Sequence, residues 1–414
     1  MGDDGSLTDA AAKEDGRPLL IVVHDYSGHP GQVSLSRTLA RRGHTVVHQY
    51  CPSYTTGKGA VERQPDDPDG FAVERVSLDE SFARYTVVRR IRQEVRYGVA
   101  ATRAITAHHP EVALLSNLPL LSLVITAARL RRIGIPVVFW QQDVYSAAIH
   151  SAAVRRLGRV GVLVGMVAGR LERWVARRSA AVVPIDESFT EVLRRWGLPD
   201  DRIHVVPNWA PIAELPVRPK DNDWSQRHRL AGQTVVLYAG TLGLKHDPRA
   251  LSHAAEVCRG EATVVVISEG LGRTLLEQVR AADGLDNLRL LDFQPYEDLP
   301  DILATADVLV ALLEPEAGQY SVPSKVLTYL CAARPIVAVV PEQNSVARII
   351  DKSGAGRVVA PGDTDGFVGA LNEILTDAAL RDSMGRNARN YAESTFDTER
   401  VGDRFERILR GAAG

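Results

Sequence analysis

Two lysines stand where this chain could hold an anion. Lys325 follows Val322-Pro323-Ser324 and leads an apolar run, Val326-Leu327-Thr328-Tyr329-Leu330-Cys331, that breaks before Pro335. A Pro-Ser pair ahead of such a run marks a helix start. The apolar segment 308–313 upstream and the β-branched segment 336–340 downstream read as buried strands. The unit is strand, loop, helix, strand, with the loop at a strand's carboxyl end, where an open α/β sheet takes ligands. Free N–H groups and the helix dipole there favour a phosphate-like anion, and Lys325 adds a full charge. Lys245 has a comparable setting, Gly240-Thr241-Leu242-Gly243-Leu244-Lys245-His246-Asp247, after the strand 234–240. Gly240 and Gly243 permit close backbone approach to a bound group. The plain alternative for both is a solvated lysine, beside a loop or after a helix-capping serine.

The elements that must position these residues form two series. The first opens with strand 19–23, a loop 24–32 containing Gly28, His29 and Gly31, a helix 33–42 and a strand 45–50. Short connections of this kind predict a parallel, right-handed βαβ unit. Strands at 112–115, 137–140 and 181–184 follow, separated by helical segments. A polar stretch with Pro211, Pro216 and Pro219 reads as a linker, 211–232. The second series has strands at 234–240, 262–267, 288–291, 308–313, 336–340 and 356–359. Alternating strands and helices predict an α/β protein with two Rossmann-like, doubly wound domains facing across a cleft. The expected division is a disordered tail 1–16, a first domain 17–210, the linker, a second domain 233–390 and a C-terminal helical segment 391–414.

Composition narrows the function classes. The chain has 414 residues, 45% hydrophobic and 24% charged, as a soluble globular protein would. No apolar run reaches the roughly 18–20 residues that span a bilayer, and residues 1–13 lack a signal-peptide core, so a cytoplasmic location is expected. Cys51, Cys258 and Cys331 lack metal or redox spacing. Residues 1–214 carry 27 Lys+Arg against 23 Asp+Glu, and the remainder 22 against 28. Between Arg129 and Arg178 ten arginines face only Asp143 and Glu172. Leu157, Val160, Val164, Val167, Leu171 and Trp174 recur there at helical spacing. That pattern fits a core-packed helix with a solvated basic face, or a peripheral contact with the inner face of a membrane. No nucleic-acid module accompanies it.

From about Leu19 to Phe405 the ordered motifs resemble retaining glycosyltransferases of the GT-B fold, family 4 or group 1 type, in the bacterial subgroup reading Pro-Ser-Lys. The resemblance implies that Lys245 and Lys325 contact the diphosphate of a nucleotide sugar. Gly240, Thr241, Glu269, Gly270, Glu316 and Ser324 then line the donor site, with Thr241 where an arginine is frequent. Counting back seven from Pro335 places Thr328 where a ribose-binding glutamate is common; Tyr320 stands where its partner glutamate is common. Gly28, His29 and Gly31 replace the usual Gly-Gly acceptor loop. Gln142-Asp143 takes the place of a His-Asp pair, Gln142 toward the acceptor and Asp143 as a hydroxyl binder or proton acceptor. Asn208 falls at the Val-Pro-Asn end of the first domain.

A metal-free site is expected, with the nucleotide sugar as substrate and no cofactor, because lysines and helix N-termini can stabilise a departing diphosphate. The implied reaction moves a sugar with retention, favouring a UDP-sugar donor and a polysaccharide or lipid-linked glycan acceptor. A small natural product, such as an aminoglycoside, is the rival acceptor. A catalytically inactive scaffold is the reading from another class.

Overall fold

The computed structural model describes residues 16–54, 58–78, 87–242, 247–313 and 325–414. The first domain runs β1 (Leu20–Asp25), α1 (Pro30–Arg41), β2 (Thr45–Tyr50), β3 (Phe71–Arg75), α2 (Val87–Thr106), β4 (Val112–Ser116), α3 (Leu120–Arg132) and β5 (Val137–Gln141). It continues through α4 (Tyr145–Leu157), α5 (Arg159–Arg178), β6 (Ala181–Pro184) and α6 (Ser188–Arg195). After α7 (Asp223–Arg227), the second domain has β7 (Val235–Ala239), α8 (Arg249–Val257), β8 (Thr263–Ile267), α9 (Leu271–Asp283), β9 (Leu288–Leu291), α10 (Leu299–Thr305) and β10 (Val308–Leu312). It closes with α11 (Lys325–Cys331), β11 (Ile336–Val339), α12 (Ser345–Ser353), β12 (Gly356–Val359), α13 (Thr364–Thr376), α14 (Ala378–Thr395) and α15 (Thr398–Ala413).

Each sheet has six parallel strands, ordered β3-β2-β1-β4-β5-β6 and β12-β11-β10-β7-β8-β9. The two orders are the same topology, with the chain reversing direction beside β1 in one and beside β7 in the other. These are the doubly wound sheets that the strand-helix alternation predicts. The inner strands are apolar on both faces and fully buried, as helices on both sides require. β3 is an addition to the expected set. It is a partly exposed edge strand, in register from Val46↔Phe71 to Tyr50↔Arg75.

The carboxyl ends of the two sheets face one another. Asp186, just past β6, pairs with Arg348 of α12 at 3.3 Å. The 211–232 segment is more structured than a solvated linker: α7 carries a capping box from Asn222 and Ser225, and Trp224 is fully buried. The helix is interrupted at Phe396–Asp397 and α15 follows, capped by Asp397, which accepts from Glu399 and Arg400 N–H. α15 returns to the first domain. Arg42 reaches Glu399 at 2.9 Å, Asp403 at 2.6 Å and Glu406 at 3.1 Å, and Phe405 packs 4.5 Å from the Trp140 ring.

The 155–178 segment differs from the single core-packed helix that its period suggested. Gly158, at φ +53°, splits it into a hairpin of α4 and α5. The buried face of α5 is Gly161, Gly165, Ala168, Glu172, Val175 and Ala176. Small residues there let α4 approach: a Cβ on Gly161 would lie 2.2 Å from the Ala153 carbonyl oxygen. Leu157, Val160, Val164 and Val167 consequently face outward. Among the described residues no helix is long and apolar enough to cross a membrane.

Candidate active site

The second domain builds its site around the end of β7. Lys325 begins α11, and its Nζ donates to the Tyr238 hydroxyl while lying 3.8 Å from that ring's centroid. Tyr238 in turn donates to the Thr241 carbonyl at 3.0 Å. Four residues along α11, Tyr329 clamps Ala239, donating to its carbonyl at 3.1 Å and accepting its N–H at 3.0 Å. A helix presents positions i, i+3 and i+4 on one side, so Lys325, Thr328 and Tyr329 share a face. Burial lowers the Lys325 amine to about 7; the ring face and the hydroxyl act in the opposite sense, favouring the ammonium. A neighbouring anion would complete its protonation.

Glycine suits position 240 because of its backbone conformation. At φ +142° the loop turns beneath the lysine, and a Cβ would lie 2.9 Å from Nζ. The adjoining loop is fastened to it. Leu242 N–H donates to Ser268 Oγ at 3.0 Å and to the Glu269 carbonyl at 3.2 Å. Gly270, at φ +110°, presses where a Cβ would meet the Leu242 carbonyl at 2.9 Å. The structure thus brings together Gly240, Thr241, Glu269, Gly270 and Lys325, with Thr328 on the Lys325 face. Lys245, Glu316 and Ser324 lie outside the described residues.

The first domain places a carboxylate at the equivalent strand end. Asp25 closes β1 and is fully buried. It accepts from Ser27 N–H at 3.2 Å, Ser27 Oγ at 2.9 Å, His29 N–H at 2.6 Å and Asn117 Nδ2 at 2.7 Å. Burial pushes its carboxyl up, against the pull of those donors. His29 is the N-cap of α1, its Nδ1 accepting from Gly31 N–H at 3.3 Å. Burial lowers the imidazole, which favours the neutral ring with its proton on Nε2.

Gly28 and Gly31 serve packing. A Cβ on Gly28 would sit 3.1 Å from Val61 Cγ1, and one on Gly31 would sit 3.2 Å from the Trp209 carbonyl. Lys58 covers the same loop; burial lowers its amine while Asp25 raises it. Sequence reading passed over Lys58 and the organising role of Asp25, because their partners are distant along the chain.

At the end of β5, Gln142 accepts from Asn208 Nδ2 at 2.7 Å, so the Val-Pro-Asn residue fixes its amide. The Gln142 Nε2 and the Tyr145 hydroxyl are buried without a hydrogen-bond partner among the described residues. Asp143 lies between them in sequence, partly buried. Glu172 is the other buried carboxylate here. It accepts from Tyr145 N–H at 3.0 Å, Ser146 N–H at 2.7 Å and Gln141 Nε2 at 3.2 Å. It caps α4 and is occupied structurally; burial raises its carboxyl. The second domain thus carries an amine at its β7 end, and the first carries buried polar groups at its β1 and β5 ends. That arrangement can receive an anionic group on one side and hydroxyl-rich groups on the other.

The glycosyl transferase 4-like domain family matches residues 28–209, and the glycosyl transferases group 1 family matches residues 233–377. The chain is 26% identical over 246 residues to the alpha-D-kanosaminyltransferase of Streptomyces kanamyceticus, covering 58% of this chain and 62% of that protein. It is 25% identical over 284 residues to the colanic acid biosynthesis glycosyl transferase WcaI of Escherichia coli (strain K12), covering 67% and 68%. Anabaena HepE in complex with UDP and glucose superposes with a TM-score of 0.70 at 17% identity, over 94% of this chain and 99% of that one. Sucrose-phosphate synthase from Thermosynechococcus elongatus superposes with a TM-score of 0.72 at 15% identity, over 95% and 98%. With one glycosyltransferase family matched to each of its two facing domains, the chain belongs to the GT-B glycosyltransferases of the family 4, group 1 type.

Proposed function

We propose that the chain transfers a sugar, with retention, from a UDP-sugar to a hydroxyl of a cell-surface polysaccharide or lipid-linked glycan. The observation that carries this is the Lys325 amine, held by Tyr238 above Gly240 at the carboxyl end of β7. A partly desolvated amine gains most when negative charge develops beside it, as it does on a departing diphosphate. The bond from the anomeric carbon to the diphosphate oxygen breaks, and the acceptor oxygen bonds to that carbon from the same face. The acceptor proton passes to the leaving phosphate oxygen. Lys325 and Lys245 carry the charge stabilisation, and no divalent ion is required. Asp143 and Gln142 orient the acceptor hydroxyl. The UDP preference is supported by the UDP and UDP-glucose complexes of HepE. The glycan acceptor is supported by the colanic acid assignment of WcaI. A small natural product, such as an aminoglycoside, is the second reading for the acceptor, and a kanosaminyltransferase is among the relatives.

The thermal midpoint across UDP-, GDP-, dTDP- and ADP-sugars, without added metal, tests the donor half. A ligand that binds only the folded state raises that midpoint. The expected result is a rise with UDP-sugars that is lost in Lys245→Ala. No rise with any of them overturns the donor assignment and leaves the inactive scaffold.

A further inference from the structure

Beyond the sheet's carboxyl edge α4 and the first half of α5 pack chiefly against each other. Glu172 accepts from Tyr145 and Ser146 N–H, so it marks the level at which β5 ends. The part of α5 before it, 159–171, therefore continues past that edge as about 20 Å of helix at 1.5 Å per residue. Leu157, Val160, Leu163, Val164, Met166 and Val167 are all exposed there, Val160 at 61% and Leu163 at 57%. A contiguous stripe of this kind on a protruding element marks an interaction surface.

The charges say what covers it. Residues 145–178 hold seven arginines and one acid, and that acid, Glu172, is buried. Arg155, Arg156 and Arg159 gather at the turn. Arg159 opens α5 with no acidic residue in the first turn, an end where the helix dipole disfavours a cation. An external anionic surface removes that conflict. A second stripe, Val88, Ile91 and Val95, lies on the first turns of α2 between Arg89, Arg92 and Arg96. α2 is joined to α3 where Ser122 Oγ donates to the Glu94 carbonyl at 2.7 Å, and α3 packs against α5. Apolar side chains to enter the acyl boundary, with arginines to meet headgroups, are the components of an interfacial helix.

We infer that the α4–α5 hairpin docks on an anionic lipid bilayer, inserting its Leu157–Val167 stripe and holding the acceptor side of the cleft at the membrane surface. The surface stands on its own geometry; its use in presenting a lipid-linked acceptor rests on the reading proposed above.

The test is co-sedimentation of the full chain with phosphatidylglycerol–phosphatidylcholine vesicles and with pure phosphatidylcholine vesicles. Binding is expected to the anionic vesicles. Arg155→Gln/Arg156→Gln/Arg159→Gln should weaken it about 100-fold, at roughly fivefold per arginine near the surface. Val160→Asp/Leu163→Asp should abolish it with an unchanged thermal midpoint, since both side chains are exposed. Leu163→Cys can be labelled selectively because Cys51, Cys258 and Cys331 are buried. A polarity-sensitive dye there should shift to the blue on anionic vesicles. Failure of the wild type to bind overturns the inference, as does binding that survives Val160→Asp/Leu163→Asp. So does self-association in sedimentation velocity that this variant abolishes without vesicle binding, which would make a second copy the occupant. Donor-induced thermal shift, read in parallel, separates the outcomes: if it persists while vesicle binding fails, only the surface assignment falls.

Discussion

The ends of β1 and β7 are the same place in the same topology, yet they hold opposite charges. At β1 the buried Asp25 gathers four donors, three from Ser27 and His29 of its own loop and one from Asn117 past β4. Among the described residues, the Lys325 amine at β7 meets one hydroxyl and one ring face, with Gly240 beneath it. The first arrangement is internally satisfied. The second leaves an ammonium with donor capacity to spare. A strand end at the point where the winding reverses is a place for a ligand; whether it takes one depends on what the chain itself already supplies there. Among the described residues the β1 loop is fastened by its own carboxylate, whereas the Lys325 amine at the β7 end keeps room for an anion.

Lys325→Met is the strongest way to break this comparison. Losing one charge-stabilising donor should lower kcat/KM about 10²–10³-fold, with the denaturant midpoint unchanged or raised because a buried amine is gone. Steady-state kinetics beside urea unfolding decides it. Activity within twofold of wild type would mean that the β7 end is as self-contained as the β1 end.

Asp25→Ala should do the reverse. Four donors lose their acceptor, and burying unsatisfied groups costs about 2–4 kcal/mol. Urea unfolding should show that loss, while nucleotide-sugar binding by the folded fraction is retained. A variant that keeps full stability but loses turnover would move Asp25 from the scaffold into the chemistry.

How far the sequence carries to this contrast varies by residue. The inner strands were legible because both faces are buried and β-branched residues fill them. β3 was not, because Phe71–Arg75 is an edge strand that ends in charged, partly exposed positions. Lys325 could be found from the helix start around it. Its partner Tyr238 could not, lying 87 residues away. Asp25 and Asn117 are 92 apart, so the loop's closure is a tertiary fact. The α5 stripe shows a different failure. Its period was read correctly, but the packing face was chosen by glycines that carry no hydrophobic signal.

The pH dependence sharpens the comparison further. The folded Lys325 amine titrates at about 7, below its ordinary 10.5. Between those values the unfolded chain binds more protons than the folded one, so this group makes stability rise with pH across that window. Donor binding should run the other way, because the ammonium is what the diphosphate meets. Nucleotide affinity should fall up to about tenfold per pH unit above 7. Lys325→Met should flatten both trends together. A falling limb that survives in that variant would assign the titration to another group.

Gly270→Ala should give the smallest effect, and it tests the donor side alone. At φ +110° an L side chain is strained, and its Cβ would press on the Leu242 carbonyl at 2.9 Å. A strained backbone position costs about 1–3 kcal/mol. The contact lies in the loop that carries Gly240 and Thr241, so part of the cost should appear as displacement of that loop. The expected outcome is a modest loss of stability with a weaker nucleotide-sugar affinity and little change in kcat. Ala at Gly28 is the matched control at the β1 end: φ is +68° and Val61 lies 3.1 Å from the added Cβ. It should destabilise without touching donor affinity. Equal effects of the two substitutions on nucleotide binding would show that the β1 and β7 ends respond as one unit, and the division of labour between them would be lost.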